Sequence, residues 1–336
     1  MGRRNDALHY SKVFGGFGRG TSDSLRQENP VSMFRNVHQA GGLARLLVIF
    51  VVVAMTGVGC TPSVSRQGDY VSTIPPLKML LDPLVKGRKE VVSLLPPGAS
   101  PHTFTPSPAD AIALETAAAI FYVDSQLDGW VLSAGGKKAI SVLDILPAPF
   151  QVAYPDSIGH EHGVVPHGEM NPHFWADPQA VAALVPGLLD KLIELDPEGR
   201  AHYEANGREF LEHLAQLNDM MSEQMAGLSD VPIVAFHPSW SYFCARYGLN
   251  VVAHVEPIPG KELSPRTILT IREQLAGSER VLVLSEVQLP RKSADALAEA
   301  LGATVEEIDP LGGSGPLVTY EGLITYNAQR LKAALE

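Results

Sequence analysis

Short apolar runs alternate with amphipathic stretches along most of the chain beyond residue 68. Runs rich in β-branched and aromatic side chains predict buried strands, and the periodic stretches between them predict helices. We predict strands at 90–95, 119–123, 232–236, 280–285 and 303–308. Ser and Pro are favoured at the first positions of helices, so helices are predicted to begin at Ser107-Pro108, Ser264-Pro265 and Pro290-Arg291. This alternation is typical of parallel sheets flanked by helices.

One longer amphipathic segment interrupts the alternation. Apolar side chains recur at helical spacing between a predicted cap at Asp196 and a predicted end at Gly227. A helix of about 30 residues would be about 45 Å long, the length of a whole domain. The sequence therefore predicts an α/β protein of two lobes, each with a mostly parallel sheet, bridged by this helix. We assign 68–195 to the N-terminal lobe, 196–228 to the connecting helix and 229–336 to the C-terminal lobe.

The first 60 residues differ from the rest. An apolar run at 46–55 has a basic flank before it and small residues after it, followed by Cys60. The run is short for a transmembrane helix, which needs about 20 apolar residues, and is typical of a secretory signal. We predict a leader over 1–60, lipidation of Cys60, a tether over 61–67 and translation from Met33. The alternatives are a plain cleaved signal and an anchor helix.

Charge and cysteine content restrict the partners and the compartment. The formal net charge is −11, which argues against nucleic acid as a partner because phosphate binding needs a basic surface. Cys60 and Cys244 are the two cysteines of the chain. Lipidation of the first would leave no internal disulfide. We expect an extracytoplasmic protein that is lipid-anchored to the membrane, on the periplasmic or outer face.

Four candidate metal ligands occupy similar positions in the pattern. His102 follows a predicted strand after a short loop, and His173 lies in a turn before a helix. His237 and Asp309 come directly after predicted strands. Ligands bind outside the carboxyl ends of the strands in open α/β sheets, so the four side chains are expected in the cleft between the lobes. Three imidazoles and a carboxylate suit tetrahedral zinc, whereas manganese prefers more oxygen ligands.

Two further sets of residues are candidates for a role in metal binding. Glu286 follows a predicted strand and is either a fifth ligand or an acceptor that orients an imidazole. His160, His162 and His167 lie in a Gly-rich loop that is either an accessory metal-collecting loop or a polar surface segment. Each of these residues, taken singly, also fits a surface or capping role.

Four segments, 98–102, 171–175, 235–237 and 308–312, resemble those of the zinc and manganese ABC-transporter substrate-binding lipoproteins. The resemblance runs from about residue 69 to the C-terminus. It implies two lobes rigidly bridged by a long helix, with the metal buried between them. It implies His102, His173, His237 and Asp309 as the positions that match the metal ligands. The manganese members typically have glutamate where His237 stands, so the resemblance favours Zn²⁺ over Mn²⁺.

We therefore predict that the protein captures a divalent metal ion, with Zn²⁺ favoured, and delivers it to an ABC permease. We expect it to be a monomer without enzymatic activity. Since ligating imidazoles must be neutral, affinity is expected to fall as pH drops through the histidine range. The alternatives are a Mn²⁺ or Fe²⁺ receptor of the same family, a secreted zinc hydrolase, and an adhesin. The sequence has no His-Glu-x-x-His motif, which is typical of zinc metalloproteases. Its absence argues against the zinc hydrolase interpretation.

Overall fold

Two four-stranded sheets form the framework of the computed structural model, which describes residues 68–154, 170–255 and 264–336. The strand orders are β2-β1-β3-β4 and β6-β5-β7-β8, and all neighbouring strands in both sheets are parallel. The strands are β1 (Tyr70–Ser72), β2 (Val91–Ser93), β3 (Ala119–Tyr122), β4 (Ala139–Ser141), β5 (Ile233–Ala235), β6 (Val251–His254), β7 (Leu282–Glu286) and β8 (Thr304–Ile308).

Helices connect the strands within each sheet. Those in the described residues are α1 (Pro75–Val85), α2 (Pro108–Thr116), α3 (Leu132–Gly135), α4 (Pro178–Leu195), α5 (Arg200–Met225), α6 (Ser241–Arg246), α7 (Pro265–Gln274), α8 (Arg291–Leu301) and α9 (Tyr320–Leu335). Short 3₁₀ turns, among them Phe174–Ala176 and Pro238–Trp240, precede some of these helices. No helix of the described ranges is both long and apolar enough to cross a bilayer. The predicted α/β architecture with two parallel sheets and one long helix is confirmed.

The local signals for helix starts agree with the structure. The Ser107 side chain accepts a hydrogen bond from the Asp110 backbone N–H, and the Asp110 carboxylate accepts from the Ser107 backbone N–H. This reciprocal pair is a capping box, which satisfies backbone donors that the first turn of a helix leaves free. Ser264 likewise accepts from the backbone N–H of Thr267 at the start of α7.

The connecting helix α5 has 26 residues, which corresponds to about 39 Å. The 3₁₀ turn Pro197–Gly199 leads directly into it, so the helical segment begins after Asp196, as the sequence predicts. The Asp196 side chain makes no capping hydrogen bond; its carboxylate pairs with Arg88 and accepts from the Tyr203 hydroxyl. Gly207 faces α4, where an added Cβ would lie 2.6 Å from a methyl carbon of Leu189. Glycine at this position therefore permits the close packing of α4 on α5.

A single apolar cluster extends through the middle of the protein. It contains Tyr70 and Phe121 of the first sheet, Leu214 of α5, and Leu282 and Leu284 of the second sheet. Smaller clusters cover the outer face of each sheet. Because protein interiors are close-packed and respond poorly to deformation, a core shared by both lobes restricts large hinge motions. All described residues belong to one compact unit, Val64–Glu336.

Candidate metal centre

Three histidines from both lobes meet at the carboxyl ends of the strands. His102 lies in the loop between β2 and α2, and His173 immediately precedes the 3₁₀ turn Phe174–Ala176. His237 follows β5 after one residue. Each histidine offers a ring nitrogen such that the three atoms lie within 4.8 Å of one another. Tetrahedral zinc with nitrogen ligands at 2.0–2.1 Å needs separations of about 3.4 Å, so small side-chain adjustments suffice to bind an ion.

The rings are packed against one another and shielded from water. Ring centroids are 4.8 Å apart for His173 and His237, 5.3 Å for His102 and His237, and 6.2 Å for His102 and His173. His173 is 3% exposed and His237 is 4% exposed. The Nε2 atoms of His102 and His237 are buried without a hydrogen-bond partner. A buried nitrogen lone pair without a donor is costly and is the atom that a metal ion would satisfy.

Asn171 fixes the orientation of His173. Its Oδ1 accepts from the backbone N–H of His173 at 3.0 Å and lies 2.7 Å from Nδ1 of the ring. Its Nδ2 donates to the Pro238 carbonyl at 3.0 Å. The backbone N–H can only donate and the carbonyl can only accept, so the amide has one possible orientation. Nδ1 of His173 therefore donates to Asn171, and Nε2 carries the free lone pair.

Glu286 fixes the orientation of the His237 ring. Its Oε1 lies 3.0 Å from Nδ1 of His237 and accepts from the Ser239 hydroxyl at 2.5 Å. Glu286 is the last residue of β7 and is 5% exposed. An ionised carboxylate only accepts, so His237 donates through Nδ1 and presents Nε2 to the cavity. Of the two sequence interpretations, this geometry matches an acceptor that orients an imidazole.

Burial keeps the imidazoles of His102 and His173 neutral. Removal from water lowers the pKa of His102 to about 3, with His237 contributing in the same direction. Burial also holds the pKa of His173 well below its ordinary value, with His237 and His102 as further causes. The charged form is disfavoured because desolvation and like charges both oppose protonation. Both side chains are therefore ready to bind a cation at neutral pH without first releasing protons.

The segment that carries His173 is held by the C-terminal lobe. The Tyr242 hydroxyl donates to the Asn171 carbonyl at 2.9 Å. Trp175 donates through Nε1 to the Pro310 carbonyl at 2.9 Å, and the Tyr320 hydroxyl donates to the Trp175 carbonyl at 2.8 Å. These partners are buried, and they follow or adjoin strands of the second sheet. The placement of His173 thus depends on contacts with both lobes.

The structure leaves Asp309 outside the converging ligand atoms. Its Oδ1 accepts from the backbone N–H groups of Leu311 and Gly312 at 3.1 and 2.9 Å. It also accepts from Nε2 of Gln288 at 2.7 Å. The carboxylate therefore stabilises the turn that follows β8. Three of the four predicted ligands are brought together, and the fourth is engaged elsewhere.

The remaining predicted positions fall on other parts of the chain. His160, His162, His167 and Cys60 lie outside the described residues. The sequence interpretation missed Ser239 and His254, and it cited Asn171 only as part of a motif. His254 ends β6, donates or accepts through Nε2 with the Ser241 hydroxyl at 3.0 Å, and has a pKa that burial lowers to about 4. Its place at a strand end was a signal that could have identified it.

Comparisons with known proteins agree with a metal-binding site. The family described as zinc-uptake complex component A, periplasmic (ZnuA), matches residues 71–334. The high-affinity zinc uptake system protein ZnuA of Brucella abortus is 26% identical over 85% of this chain and 98% of its own length. The protein of the same name from Bacillus subtilis is 24% identical over 81% of this chain and 88% of its own length.

Solved structures show the same arrangement of lobes. A crystal structure of ZnuA is 27% identical, with a TM-score of 0.64 over 80% of this chain and 100% of that chain. The periplasmic zinc-binding protein TroA of Treponema pallidum, at 20% identity, shares the fold with a TM-score of 0.68, over 80% of this chain and 99% of that chain. The fold and the buried histidines define a two-lobed metal-binding receptor. The chain belongs to the ZnuA family, the extracytoplasmic metal-binding components of ABC importers.

Proposed function

We propose that this protein captures Zn²⁺ outside the cytoplasm and delivers it to the permease of an ABC importer. The observation that carries this proposal is the convergence of three buried imidazoles, two of them with Nδ1 committed to fixed acceptors. Neutral imidazole nitrogen suits zinc, and hydrogen bonds to the far ring nitrogen orient such ligands. We further propose His102, His173 and His237 as the protein ligands that hold the ion.

The relatives support zinc as the cargo. The Brucella and Bacillus proteins are named for high-affinity zinc uptake. A solved ZnuA deletion mutant with zinc bound is 26% identical to this chain, with a TM-score of 0.65. In this chain His237 supplies nitrogen where an additional oxygen ligand would favour manganese. Both lines of reasoning favour a zinc receptor.

Capture without catalysis fits the size of the site. The cavity among the histidines has a volume of only about 10 Å³ for the centre of a water-sized sphere. A catalytic zinc keeps an open position for water and substrate, with a general base nearby. Glu286, the nearest candidate base, is already an acceptor for His237 and Ser239. A hydrolase would need more room and a free carboxylate, so we propose that the protein is not an enzyme.

The tethering and assembly of the chain belong to the same proposal. We propose that Cys60 carries the lipid anchor, that 61–67 is the tether, and that the receptor acts as a monomer. The proposed lobe boundaries are 68–195 and 229–336, with 196–228 as the connecting segment. The core that joins the lobes favours release of the ion by small local rearrangements on the permease.

Titration with zinc and manganese tests the proposal. The mature chain, residues 61–336, is expected to bind one equivalent of Zn²⁺ tightly and Mn²⁺ at least 100-fold more weakly, since imidazole nitrogens dominate the site. Isothermal calorimetry in the presence of a competing chelator measures both affinities. Preference for Mn²⁺ would reassign the cargo, and the absence of a tight site for either ion would refute the receptor function.

Zinc affinity should depend on pH less strongly than it would if the three histidine ligands had ordinary pKa values. Three imidazoles of pKa about 6.5 would each be about nine-tenths protonated at pH 5.5 and together lower the affinity about 1000-fold relative to neutral pH. Since the pKa values of His102 and His173 are lowered, these side chains stay neutral as pH falls to 5.5. We expect a loss of about tenfold or less, measured by competition at pH 7.0 and 5.5. A loss above 100-fold would contradict the lowered pKa values.

A further inference from the structure

We propose that the side-chain oxygen of Gln288 is the fourth donor to the captured ion. The inference rests on the proposed function in one respect, that zinc binds among the three histidines. Gln288 lies two residues beyond the end of β7 and lines the same cavity as His102, His173 and His237. Its Oε1 is buried and has no hydrogen-bond partner.

The orientation of the Gln288 amide follows from its other contact. Nε2 donates to Oδ1 of Asp309 at 2.7 Å. A carboxylate oxygen that also receives two backbone N–H bonds acts as an acceptor, so the NH₂ group must face Asp309. The oxygen of the amide therefore points the other way, and exchange of the two amide atoms would place two acceptors against each other. Asp309 thereby positions Gln288.

The unsatisfied oxygen is costly unless something binds it. A buried amide oxygen without a donor is destabilising by about 1–3 kcal/mol. Two imidazole nitrogens of the same cavity, Nε2 of His102 and Nε2 of His237, are also buried without partners. The Gln288 oxygen and Nε2 of His237 can only accept in the orientations derived above, so neither can satisfy the other. One cation would satisfy both, and with Nε2 of His102 unprotonated it would satisfy all three.

The space available favours direct contact between the amide and the ion. The cavity is small, with about 10 Å³ available to the centre of a water-sized sphere, and Gln288 is part of its lining. An ion held by the three histidines would therefore lie beside the Gln288 amide, which offers an oxygen without other partners.

A neutral oxygen in this position affects the choice of metal. An amide donates less electron density than a carboxylate, and ions such as Mn²⁺ prefer sites rich in charged oxygen. The three imidazoles and one amide form a neutral set of ligands, with the carboxylate of Glu286 behind His237. Gln288 is therefore a residue that determines specificity for zinc over manganese.

Two matched substitutions test the assignment in the mature chain with zinc and manganese as probes. Gln288→Met removes the oxygen at similar length and is expected to weaken zinc binding tenfold or more and to alter the visible absorption of the cobalt(II)-substituted protein. Asp309→Asn keeps an acceptor oxygen for Gln288 and should weaken zinc binding less than Gln288→Met does. A strong loss in Asp309→Asn with little change in Gln288→Met would overturn the proposal in favour of Asp309.

A third variant and a structure of the zinc-bound protein complete the test. Gln288→Glu retains an oxygen and adds charge, so zinc binding should persist and manganese affinity should rise at least tenfold. In zinc-bound wild-type protein, Oε1 of Gln288 is expected about 2.0–2.2 Å from the ion. A separation above about 3 Å would refute the assignment even if Gln288→Met failed to fold. Wild-type protein that bound no zinc would instead refute the proposed function.

Discussion

Replacing His237 by alanine is expected to abolish tight zinc binding, lowering the affinity at least about 1000-fold, which corresponds to about 4 kcal/mol. The substitution removes one of three converging nitrogens. It also leaves the buried carboxylate of Glu286 without the ring that it orients, and a buried charge that loses its partner is strongly unfavourable. Competition with a zinc chelator of known affinity measures the loss.

The control for this variant is another histidine of the same chain. His213 lies exposed on α5, away from the three converging rings, so His213→Ala should bind zinc within about twofold of wild type. Both variants should remain folded in the absence of metal, with His237→Ala the less stable of the two because Glu286 has lost its partner. Zinc affinity within tenfold of wild type in His237→Ala would show that the ion is held elsewhere.

Much of the fold follows from local sequence signals. The predicted strand at 119–123 corresponds to β3, a short apolar run after a helix signal. The predicted strand at 303–308 corresponds to β8, which follows the helix signalled at Pro290 although it contains two glutamates. The prediction omitted β1, β4 and β6, which have only three or four residues each. Strands this short owe their pairing to neighbours in the sheet, and tertiary context of this kind is not visible in local patterns.

Part of the candidate site was also predictable from the sequence, because its histidines lie next to predicted strands and helices. The three histidines follow strands or precede a helix, and strand ends of a parallel sheet meet at one edge. Their partners depend on contacts between distant parts of the sequence. Asn171 reaches the carbonyl of Pro238, and Gln288 reaches Asp309. Periodicity identifies where a ligand can lie, but the direction of each side chain is set by packing between lobes.

Substitution of Trp175 tests whether packing between the lobes positions the site. The Trp175 side chain is fully buried, its ring centroid lies 5.2 Å from that of His173, and Nε1 donates to Pro310 of the other lobe. Truncating a buried tryptophan to alanine typically destabilises a protein by 3–5 kcal/mol, and the lost hydrogen bond leaves a buried carbonyl unpaired. We expect Trp175→Ala to lower the free energy of unfolding of the metal-free protein by about 4 kcal/mol, measured by urea denaturation.

The same substitution should weaken zinc binding, because His173 is held in place by the residues on both sides of it. Trp130→Ala is the matched control: Trp130 is half-buried and packs on Phe104 of the first lobe, with ring centroids 5.1 Å apart. Its truncation removes less buried area and should cost about 1–2 kcal/mol, with zinc affinity nearly unchanged. Equal losses of stability in the two variants, or wild-type zinc affinity in Trp175→Ala, would show that the interlobe contacts of Trp175 do not position the site.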